Sequence, residues 1–479
     1  MKPLNAQTVA KVIRPEKIIQ FGEGNFLRGF VDWMVQSLNE KTTFNGSVVM
    51  VQPRRKRTID RFIQQDGLYH VNLQGLTNGK VINSLTLIDS ISRTLNPYSD
   101  AKAFVELATL PELAFVVSNT TEAGIVYDPS CQLEDMPAES YPGKLTQLLY
   151  RRFTYFKGDM SKGLTIIPCE LIFHNGVQLK QVIQQYIDQW QLGTAFQQWF
   201  TMACPVYSSL VDRIVTGFPS QDIETIQERL GFEDNLVVRA EPYYLWVIEA
   251  PETLYQRFPV DKAKLSVHCV PDEQPFHQRK VTLLNGAHTL LSPVSAFYGI
   301  PFVRDACKEA IMGSFIRQSL YQELSPSLPM PKPELDSYIA DVLTRFENPF
   351  IDHQVTAIML NAFAKLRARE LPSLLAYVTQ NHCLPQRIVL GFAATFVYYK
   401  GGLLPDGSSI EVKDDPQIKA LCERLWTTKS IAQVVYALLC DTSLWGQDLT
   451  KLPDMLDLTT SFATQILHGE IKKIVNKLS

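Results

Sequence analysis

The pattern of apolar residues changes near residue 270 of this 479-residue chain. Before that point, short apolar runs such as Lys17–Phe21, Ser47–Val51 and Leu113–Ser118 alternate with stretches of helical spacing. Alternating strands and helices predict a mostly parallel sheet that is covered on both faces. After that point the spacing is helical, for example over Lys280–Leu291. We therefore predict a sheet domain followed by a helical domain, with a ligand site in the cleft between them.

Composition excludes several classes of protein. The formal net charge is -3, from 46 basic and 49 acidic residues, which argues against a nucleic-acid binder. The N-terminal segment has no apolar stretch long enough for a signal peptide, and the longest apolar run, Ile388–Tyr399, is too short to span a bilayer. The eight cysteines are scattered without a CxxC pair, which is typical of reduced thiols. We expect a cytoplasmic monomer or small homo-oligomer that binds a small molecule, and neither nucleic acid nor membrane.

A glycine turn follows the first predicted strand. Gly22-Glu23-Gly24 would end this strand and open a helix, so that backbone N–H groups face a dinucleotide pyrophosphate. The spacing departs from GxGxxG because the third glycine is Gly29. A plain turn without a ligand is the alternative.

The end of the second predicted strand bears on the choice of cofactor. In NAD-binding sheets an acidic residue near this position holds a ribose hydroxyl. Here the chain continues as Gln52-Pro53-Arg54-Arg55-Lys56-Arg57, without a carboxylate. Taken literally, these cations suit the 2′-phosphate of NADP, and a solvated basic loop is the alternative.

The segment KVTLLNGAH places three polar residues on an apolar background. On an α-helix, Lys280 and His288 lie about 80° apart, and Asn285 about 140° from Lys280. A lysine in an apolar cleft has a pKa lowered by desolvation, towards the value that a general base needs. Asn285 could donate a hydrogen bond to a substrate oxygen, and His288 could orient the substrate. A buried Asn cap and a snorkelling lysine are the alternative.

The sequence contains no recognised motif for a catalytic zinc site or for a serine hydrolase. The eight histidines form neither HExxH nor a Cys/His zinc spacing, and no GxSxG is present. The sequence therefore predicts no catalytic metal.

Five segments carry a family resemblance: QFGEGNFLRGF, SNTTEAG, IPCELIFHNG, SSLVDRIVTG and RKVTLLNGAHT. In order and spacing they resemble the long-chain polyol dehydrogenase family that includes mannitol dehydrogenase, and most of all its hexuronate branch. The resemblance runs from about residue 17 to the C-terminus. It implies a Rossmann-type domain over 1–262 and a mainly α-helical domain over 263–479. It also implies zinc-independent hydride transfer between NAD(H) and one carbon of an open-chain sugar derivative.

The resemblance assigns roles to individual residues. Lys280 becomes the general base in oxidation or the proton donor in reduction, and Asn285 and His288 bind the substrate. The residues expected to bind the cofactor are Gly22, Gly24, Asn25, Phe26, Arg28, Thr121 and Glu122.

Two positions depart from the family pattern. Mannitol dehydrogenases carry Asp-Asn where this chain has Glu170 and Leu171, so the asparagine that helps to hold the developing alkoxide is missing. Asn175 is a possible replacement. The acidic residue after the second strand is also missing. The expectation that the cofactor is NAD therefore depends on the family resemblance and not on the sequence after that strand.

The hexuronate branch implies a substrate with a carboxylate, for which a bidentate arginine is the natural partner. Arg213 and Arg345, with His353 close behind on the chain, are the candidates, although structural ion pairs are the alternative. The expected reaction is reduction of D-tagaturonate to D-altronate by NADH in hexuronate (galacturonate) breakdown. Alternatives are fructuronate, mannitol or another polyol as the substrate, or a nucleotide-sensing protein without catalysis.

Overall fold

The computed structural model describes residues 1–55, 59–77, 79–121 and 123–479. The chain divides into two compact units, one of residues 1–74 and 81–273 and the other of residues 75–80 and 274–479. The first contains the strands of a parallel sheet and the second is almost wholly helical. The predicted fold class is thereby confirmed, whereas the domain bounds 1–262 and 263–479 stay a prediction.

A five-stranded, all-parallel sheet forms the centre of the first unit. The strand that comes first in the chain lies in the middle, and the order across the sheet, counted along the chain, is 3-2-1-4-5. This is the doubly wound arrangement, in which ligands bind where the strand order reverses. From one edge to the other, the strands are Ile91–Leu95, Ser47–Val51, Glu16–Phe21, Phe115–Ser118 and Thr165–Pro168.

Both faces of this sheet are buried, and neighbouring residues of a strand contribute to different cores. Ile18 belongs to one apolar core and Ile19 to the other, and Val48 and Val49 divide in the same way. Because successive strand residues point to opposite faces, a strand buried on both sides must be apolar throughout. This accounts for uninterrupted apolar runs such as Ser47–Val51.

Among the described residues, the other strands form three smaller sheets. Strand Tyr69–Thr77 lies between Lys80–Ile88 and Val238–Ala240, and Val215–Gly217 extends that sheet. The sequence Asn78-Gly79 between the first two of these strands is typical of a hairpin turn, and Asn78 lies outside the described residues. The remaining sheets comprise Ser209–Asp212, Leu245–Glu249 and Val267–Val270, and the short pair Lys2–Pro3 and Phe232–Glu233.

Helices of the first unit cover the parallel sheet. A continuous helical run over 25–41 follows the glycine turn, and its middle part, Arg28–Asp32, is a π-helix. The α-helices are Asn25–Leu27, Trp33–Lys41, Asp60–Gln64, Ala101–Glu106, Tyr141–Tyr155, Asn175–Gln189, Thr194–Ala203 and Ile223–Leu230, and the 3₁₀ turns are Leu107–Thr109, Met160–Lys162 and Glu252–Gln256.

The second unit is built around the buried helix Gln386–Tyr398, which packs against Ala287–Tyr298 and Met455–Leu467. A Cβ at Gly391 would lie 2.5 Å from Leu290 Cδ1, so the glycine allows this close crossing of two helices. The other α-helices are Gln274–Arg279, Val303–Lys308, Ala310–Gln318, Lys332–Phe346, Val355–Ile358, Ala362–Lys365, Leu371–Asn381, Pro416–Thr428, Ile431–Cys440, Thr442–Trp445 and Ile471–Leu478. The π-helices are Lys280–Gly286, Ser319–Leu324 and Leu366–Glu370, and the 3₁₀ turns are Ser325–Ser327 and Leu449–Lys451.

Among the described residues, no helix combines the length and the apolar character that crossing a bilayer would require.

Candidate active site

The glycine turn lies at the carboxyl end of the central strand Glu16–Phe21. Gly22 has a φ of +127°, and a Cβ there would lie 2.9 Å from the carbonyl oxygen of Asn119. Any larger residue would therefore push apart the ends of two neighbouring strands. Gly24 precedes the helical run, and a Cβ on it would meet no atom within 4 Å. The space above Gly24 is open, as the approach of a pyrophosphate requires.

A cavity of about 220 Å³ opens at this turn. A second cavity, of about 430 Å³, shares Pro53, Arg54 and Thr120 with it, which gives room for an elongated ligand. Five residues expected to bind the cofactor line the smaller cavity. Its lining consists of Gly22, Glu23, Gly24, Asn25, Phe26, Pro53, Arg54, Asn119, Thr120 and Thr121.

Arg28 is one of the two remaining cofactor-binding predictions, and it does not line the cavity. Its guanidinium is buried, donates to the carbonyl of Leu236 (2.6 Å) and to Oδ1 of Asn25 (2.6 Å), and lies over the rings of Phe62 and Tyr69. Burial lowers the pKa of Arg28. Its contact with the cavity is indirect, because it holds the side chain of Asn25. Glu122, the other prediction, lies outside the described residues.

Sequence reasoning missed Asn119 and Thr120, which follow the fourth strand. The buried carboxylate of Glu170 braces this strand end, because it accepts hydrogen bonds from the hydroxyl of Ser118 and from both the N–H and the hydroxyl of Thr120, each at 3.0 Å. Burial raises the pKa of Glu170. The sequence could have predicted Asn119 and Thr120, because they directly follow a predicted strand and the carboxyl ends of neighbouring parallel strands meet at one edge of the sheet. Leu171, at the position of the missing asparagine, is 63% exposed.

The arginines after the second strand occupy different environments. Arg54 lines both cavities and donates to the hydroxyl of Thr121 at 3.0 Å. Arg55 pairs with Glu139 at 3.3 Å and lies over the ring of Tyr98. Of these two arginines, Arg54 alone lines the cavities, and Lys56 and Arg57 lie outside the described part of the chain.

In the second unit, the segment KVTLLNG is a π-helix between two α-helices. A π-helix has i→i+5 hydrogen bonds, so residues five apart come close to one face. Lys280 and Asn285 are five apart, and His288 follows Asn285 by three residues, which also places neighbours on one helix face. The separation of about 140° expected for an α-helix is therefore wrong, because the wider turn brings Asn285 back towards Lys280.

The exposure of this segment agrees with a shared face. Between residues 279 and 290, Lys280, Val281, Asn285 and His288 are partly exposed, and every other residue is buried. The three predicted catalytic residues thus lie on one accessible edge of a turn that is otherwise packed into the unit.

His288 lies among aromatic and cationic groups of the same unit. Its ring centroid is 4.2 Å from that of Phe346 and 4.9 Å from that of His353. Burial lowers the pKa of His288 well below its ordinary value, and the positive fields of His353, Arg345, Arg369 and Lys365 lower it further. The imidazole is therefore neutral at pH 7 inside a cationic environment that favours an anion.

Two residues of a neighbouring segment contact the π-helix Lys280–Gly286, which we call the π turn. Arg369 donates to the carbonyl of Asn285 (3.4 Å) and to the hydroxyl of Thr289 (3.0 Å). The fully buried carboxyl of Glu370 lies below the turn, 3.2 Å from where a Cβ of Gly286 would be. Burial raises the pKa of Glu370 well above its ordinary value. Gly286 therefore allows the close approach of this acid.

The structure argues against two of the predicted substrate contacts. The amide of Asn175 is fully buried, donates to the carbonyls of Pro168, Glu170 and Ser209, and accepts from the N–H of Ser209. Its hydrogen bonds join a helix start to two strand ends, which is a structural role, so Leu171 has no replacement there.

Arg213 is likewise a core residue. It is 6% exposed, donates to the carbonyls of Glu241 (2.9 Å) and Gly29 (2.7 Å), and lies over the rings of Trp33 and Tyr244. Burial lowers its pKa to about 10. Arg345 and His353 face the surroundings of His288 and stay candidates for the substrate.

Comparison with known proteins agrees with this architecture. Residues 16–262 match the family model of the mannitol dehydrogenase Rossmann domain, and residues 272–467 match that of the mannitol dehydrogenase C-terminal domain. Among solved structures, the chain is similar to mannitol 2-dehydrogenase of Pseudomonas fluorescens in ternary complex with NAD and D-mannitol (20% identity, TM-score 0.71, 100% of this chain and 99% of that chain). It is also similar to a substrate-free D-sorbitol dehydrogenase (18% identity, TM-score 0.81, 99% of this chain and 100% of that chain).

Curated relatives share far more of the sequence. Altronate oxidoreductase of Phocaeicola vulgatus is 56% identical over 455 residues, which cover 95% of each chain. The proteins of the same name from Bacillus subtilis and Escherichia coli are 43% and 40% identical, over 94% and 100% of this chain and 93% and 100% of theirs. The resemblance inferred from the sequence motifs is confirmed, and the chain belongs to the mannitol dehydrogenase family.

Proposed function

We propose that this chain is an NAD-dependent oxidoreductase that interconverts D-tagaturonate and D-altronate and works with NADH as a tagaturonate reductase in hexuronate catabolism. The observation that carries the proposal is the 40–56% identity, over almost the whole chain, to relatives named altronate oxidoreductase. A CH–OH group on one side of the reaction and a ketone on the other require one hydride and one proton.

We assign the dinucleotide to the cavity at the glycine turn and the larger cavity that adjoins it. Gly24 leaves room for a pyrophosphate, Gly22 allows the close approach of Asn119, and the helical run over 25–41 begins beside them. When bound there, NAD(H) supplies the hydride acceptor or donor. Arg54 at the same cavity carries a positive charge where many NAD sites have a carboxylate, so the assay must compare NADH with NADPH.

Lys280 is the proposed acid and base of the reaction. In the reducing direction its ammonium group gives a proton to the carbonyl oxygen of the substrate, and in oxidation the amine takes the hydroxyl proton. Asn285, on the same edge of the π turn, donates an amide hydrogen bond to that oxygen as negative charge develops. No step of this reaction uses a metal ion.

The substrate carboxylate is assigned to the cationic surroundings of His288. Arg345, Lys365 and Arg369 all exert a positive field there, and His288 itself is neutral. Of these, a guanidinium pairs best with a planar carboxylate, because it offers two parallel N–H donors. A uronate carboxylate would add a compensating negative charge to this environment, which a neutral polyol cannot do, so we take a uronate over mannitol as the substrate.

The deciding experiment follows NADH absorbance at neutral pH with tagaturonate, fructuronate and fructose, each repeated with NADPH. We expect fast turnover with tagaturonate and NADH only. Faster turnover with fructuronate or fructose would overturn the substrate assignment and leave the family intact. Preference for NADPH would overturn the cofactor assignment and identify Arg54 as a 2′-phosphate ligand. Absence of turnover with every pair would favour a nucleotide-sensing protein.

A further inference from the structure

Three potential metal ligands converge in the first unit, away from the glycine turn in sequence. His174 precedes helix Asn175–Gln189, Glu249 ends strand Leu245–Glu249, and Glu273 directly precedes helix Gln274–Arg279. The Nδ1 atom of His174 lies 3.9 Å from Oε2 of Glu249 and 3.9 Å from Oε1 of Glu273. All three ligand atoms lie within 4.8 Å of one another.

The carboxylates of this cluster are incompletely satisfied. Oε2 of Glu249 and Oε2 of Glu273 are both buried and have no hydrogen-bond partner among the described residues. The side chain of Glu273 is only 2% exposed, although one of its oxygens faces His174. A buried carboxylate normally has a cationic or hydrogen-bonding partner, since removing it from water is costly. In the described part of the chain, the ion pairs of both glutamates are with His174 and not with a lysine or arginine.

We propose that His174, Glu249 and Glu273 bind one divalent first-row transition-metal ion. One imidazole nitrogen and two carboxylate oxygens are a ligand set that zinc and manganese accept. Ligand atoms about 2.0–2.2 Å from such an ion lie about 3.0–3.4 Å apart. Each glutamate would therefore move towards His174 by less than about 1 Å, and the two carboxylate oxygens, which lie within 4.8 Å of one another, would approach by at most about 1.8 Å. Calcium and magnesium prefer oxygen ligands only, so the imidazole selects against them.

The ion would join three segments that are distant in sequence. Glu170 and Asn175, on either side of the loop that ends at His174, make the hydrogen bonds that brace the strand ends described above. A metal at His174 would therefore stabilise this loop against strand Leu245–Glu249 and the residue before helix Gln274–Arg279. The proposed role is structural, and it is independent of the proposed reaction. Sequence reasoning found no metal site because the ligands at 174, 249 and 273 form no short motif.

The test uses the full chain, freed of metal by a chelator and exchanged into chelator-free buffer. Titration with Zn²⁺ and separately with Mn²⁺ is followed by calorimetry, and Mn²⁺ binding also by electron paramagnetic resonance. We expect one site per chain, with a rise in Tm of a few degrees at saturation. Mg²⁺ should give neither effect. Mn²⁺ is included because thiols such as the exposed Cys383 hold it poorly, whereas they bind Zn²⁺ well.

Variants assign the site to these residues. His174→Ala and Glu273→Gln should weaken the binding of both ions at least about a hundredfold and abolish the rise in Tm, whereas the exposed His382→Ala should change neither. Glu249→Gln is the substitute if Glu273→Gln does not fold, as judged by circular dichroism. Absence of saturable binding in the wild-type chain, or unchanged binding in His174→Ala, would overturn the proposal. Neither metal binding nor the rise in Tm depends on enzyme activity. The test of the metal site therefore stays valid even if the proposed reaction is wrong.

Discussion

The cavity at the glycine turn of the first unit and the π-helix that carries Lys280 in the second unit are built by opposite means. The cavity is formed mainly by backbone at the carboxyl ends of neighbouring strands, where Gly22 lets two strand ends approach closely and Gly24 leaves open space. The turn presents the side chains of Lys280, Asn285 and His288 on an irregular helix. Substitutions that add a side chain should therefore impair the cavity, whereas substitutions that remove a side chain should impair the π-helix site.

The largest expected effect is a loss of kcat at the site that is formed by side chains. Lys280→Ala should lower kcat at least about a hundredfold in tagaturonate reduction, because it removes the proton donor. Lys429→Ala, an exposed lysine after a helix end, serves as the matched control and should leave kcat unchanged. Near-normal kcat in Lys280→Ala would exclude this lysine as the acid and base.

A smaller effect is expected from the cationic surroundings of His288. Arg345→Gln should raise KM for tagaturonate about tenfold to a hundredfold, because a charged hydrogen bond contributes about 1.5–3 kcal/mol. The measurement is KM for tagaturonate beside KM for a neutral ketose at saturating NADH. Equal changes for both substrates would mean that Arg345 acts only through packing.

For the cavity that is formed by backbone, we expect a change of about tenfold, and only in the KM for NADH. Gly24→Ala should raise KM for NADH about tenfold with an unchanged Tm, since its Cβ meets no protein atom and points into open space. Gly22→Ala should instead lower Tm, because its φ of +127° and the oxygen of Asn119 at 2.9 Å both oppose a Cβ. A lowered Tm in Gly24→Ala, or none in Gly22→Ala, would contradict this division.

The smallest effect on turnover is expected at Asp32, which is fully buried in the π part of the helical run after the glycine turn. Its Oδ2 accepts from the hydroxyl of Tyr69 (2.9 Å) and from the amide of Gln20 (3.4 Å). Burial raises its pKa from 3.8 to about 7. Between about pH 4 and pH 7 the folded chain keeps a proton that the unfolded chain has lost, so this group's contribution to stability falls as pH rises.

Asp32→Asn removes that titration. Its unfolding free energy relative to wild type should therefore be higher at pH 8 than at pH 5, by about 1–3 kcal/mol, with kcat unchanged. Urea unfolding of both proteins at the two pH values measures this difference. An equal difference at pH 5 and pH 8 would show that Asp32 is ionised throughout.

Sequence reasoning succeeded where geometry is regular. A short apolar strand, a glycine turn and a helix specified the turn at Gly22 and Gly24, because a parallel sheet leaves little freedom at its carboxyl edge. Reasoning failed at Asn175 and Arg213, whose hydrogen bonds go to the carbonyls of residues distant along the chain. No local pattern distinguishes a polar side chain that braces backbone from one that faces a ligand.

The sequence by itself determined the two fold classes, the family and the segment that carries Lys280, since periodicity and contiguous motifs are properties of neighbouring residues. Only the tertiary structure decided that this segment is a π-helix, that Lys365 and Arg369 join Arg345 around His288, and that Glu170 braces the strand end at the glycine-turn cavity. The reason is physical. The width of a helical turn and the charges around a side chain depend on packing partners such as Glu370, which lies more than eighty residues from Gly286 along the chain.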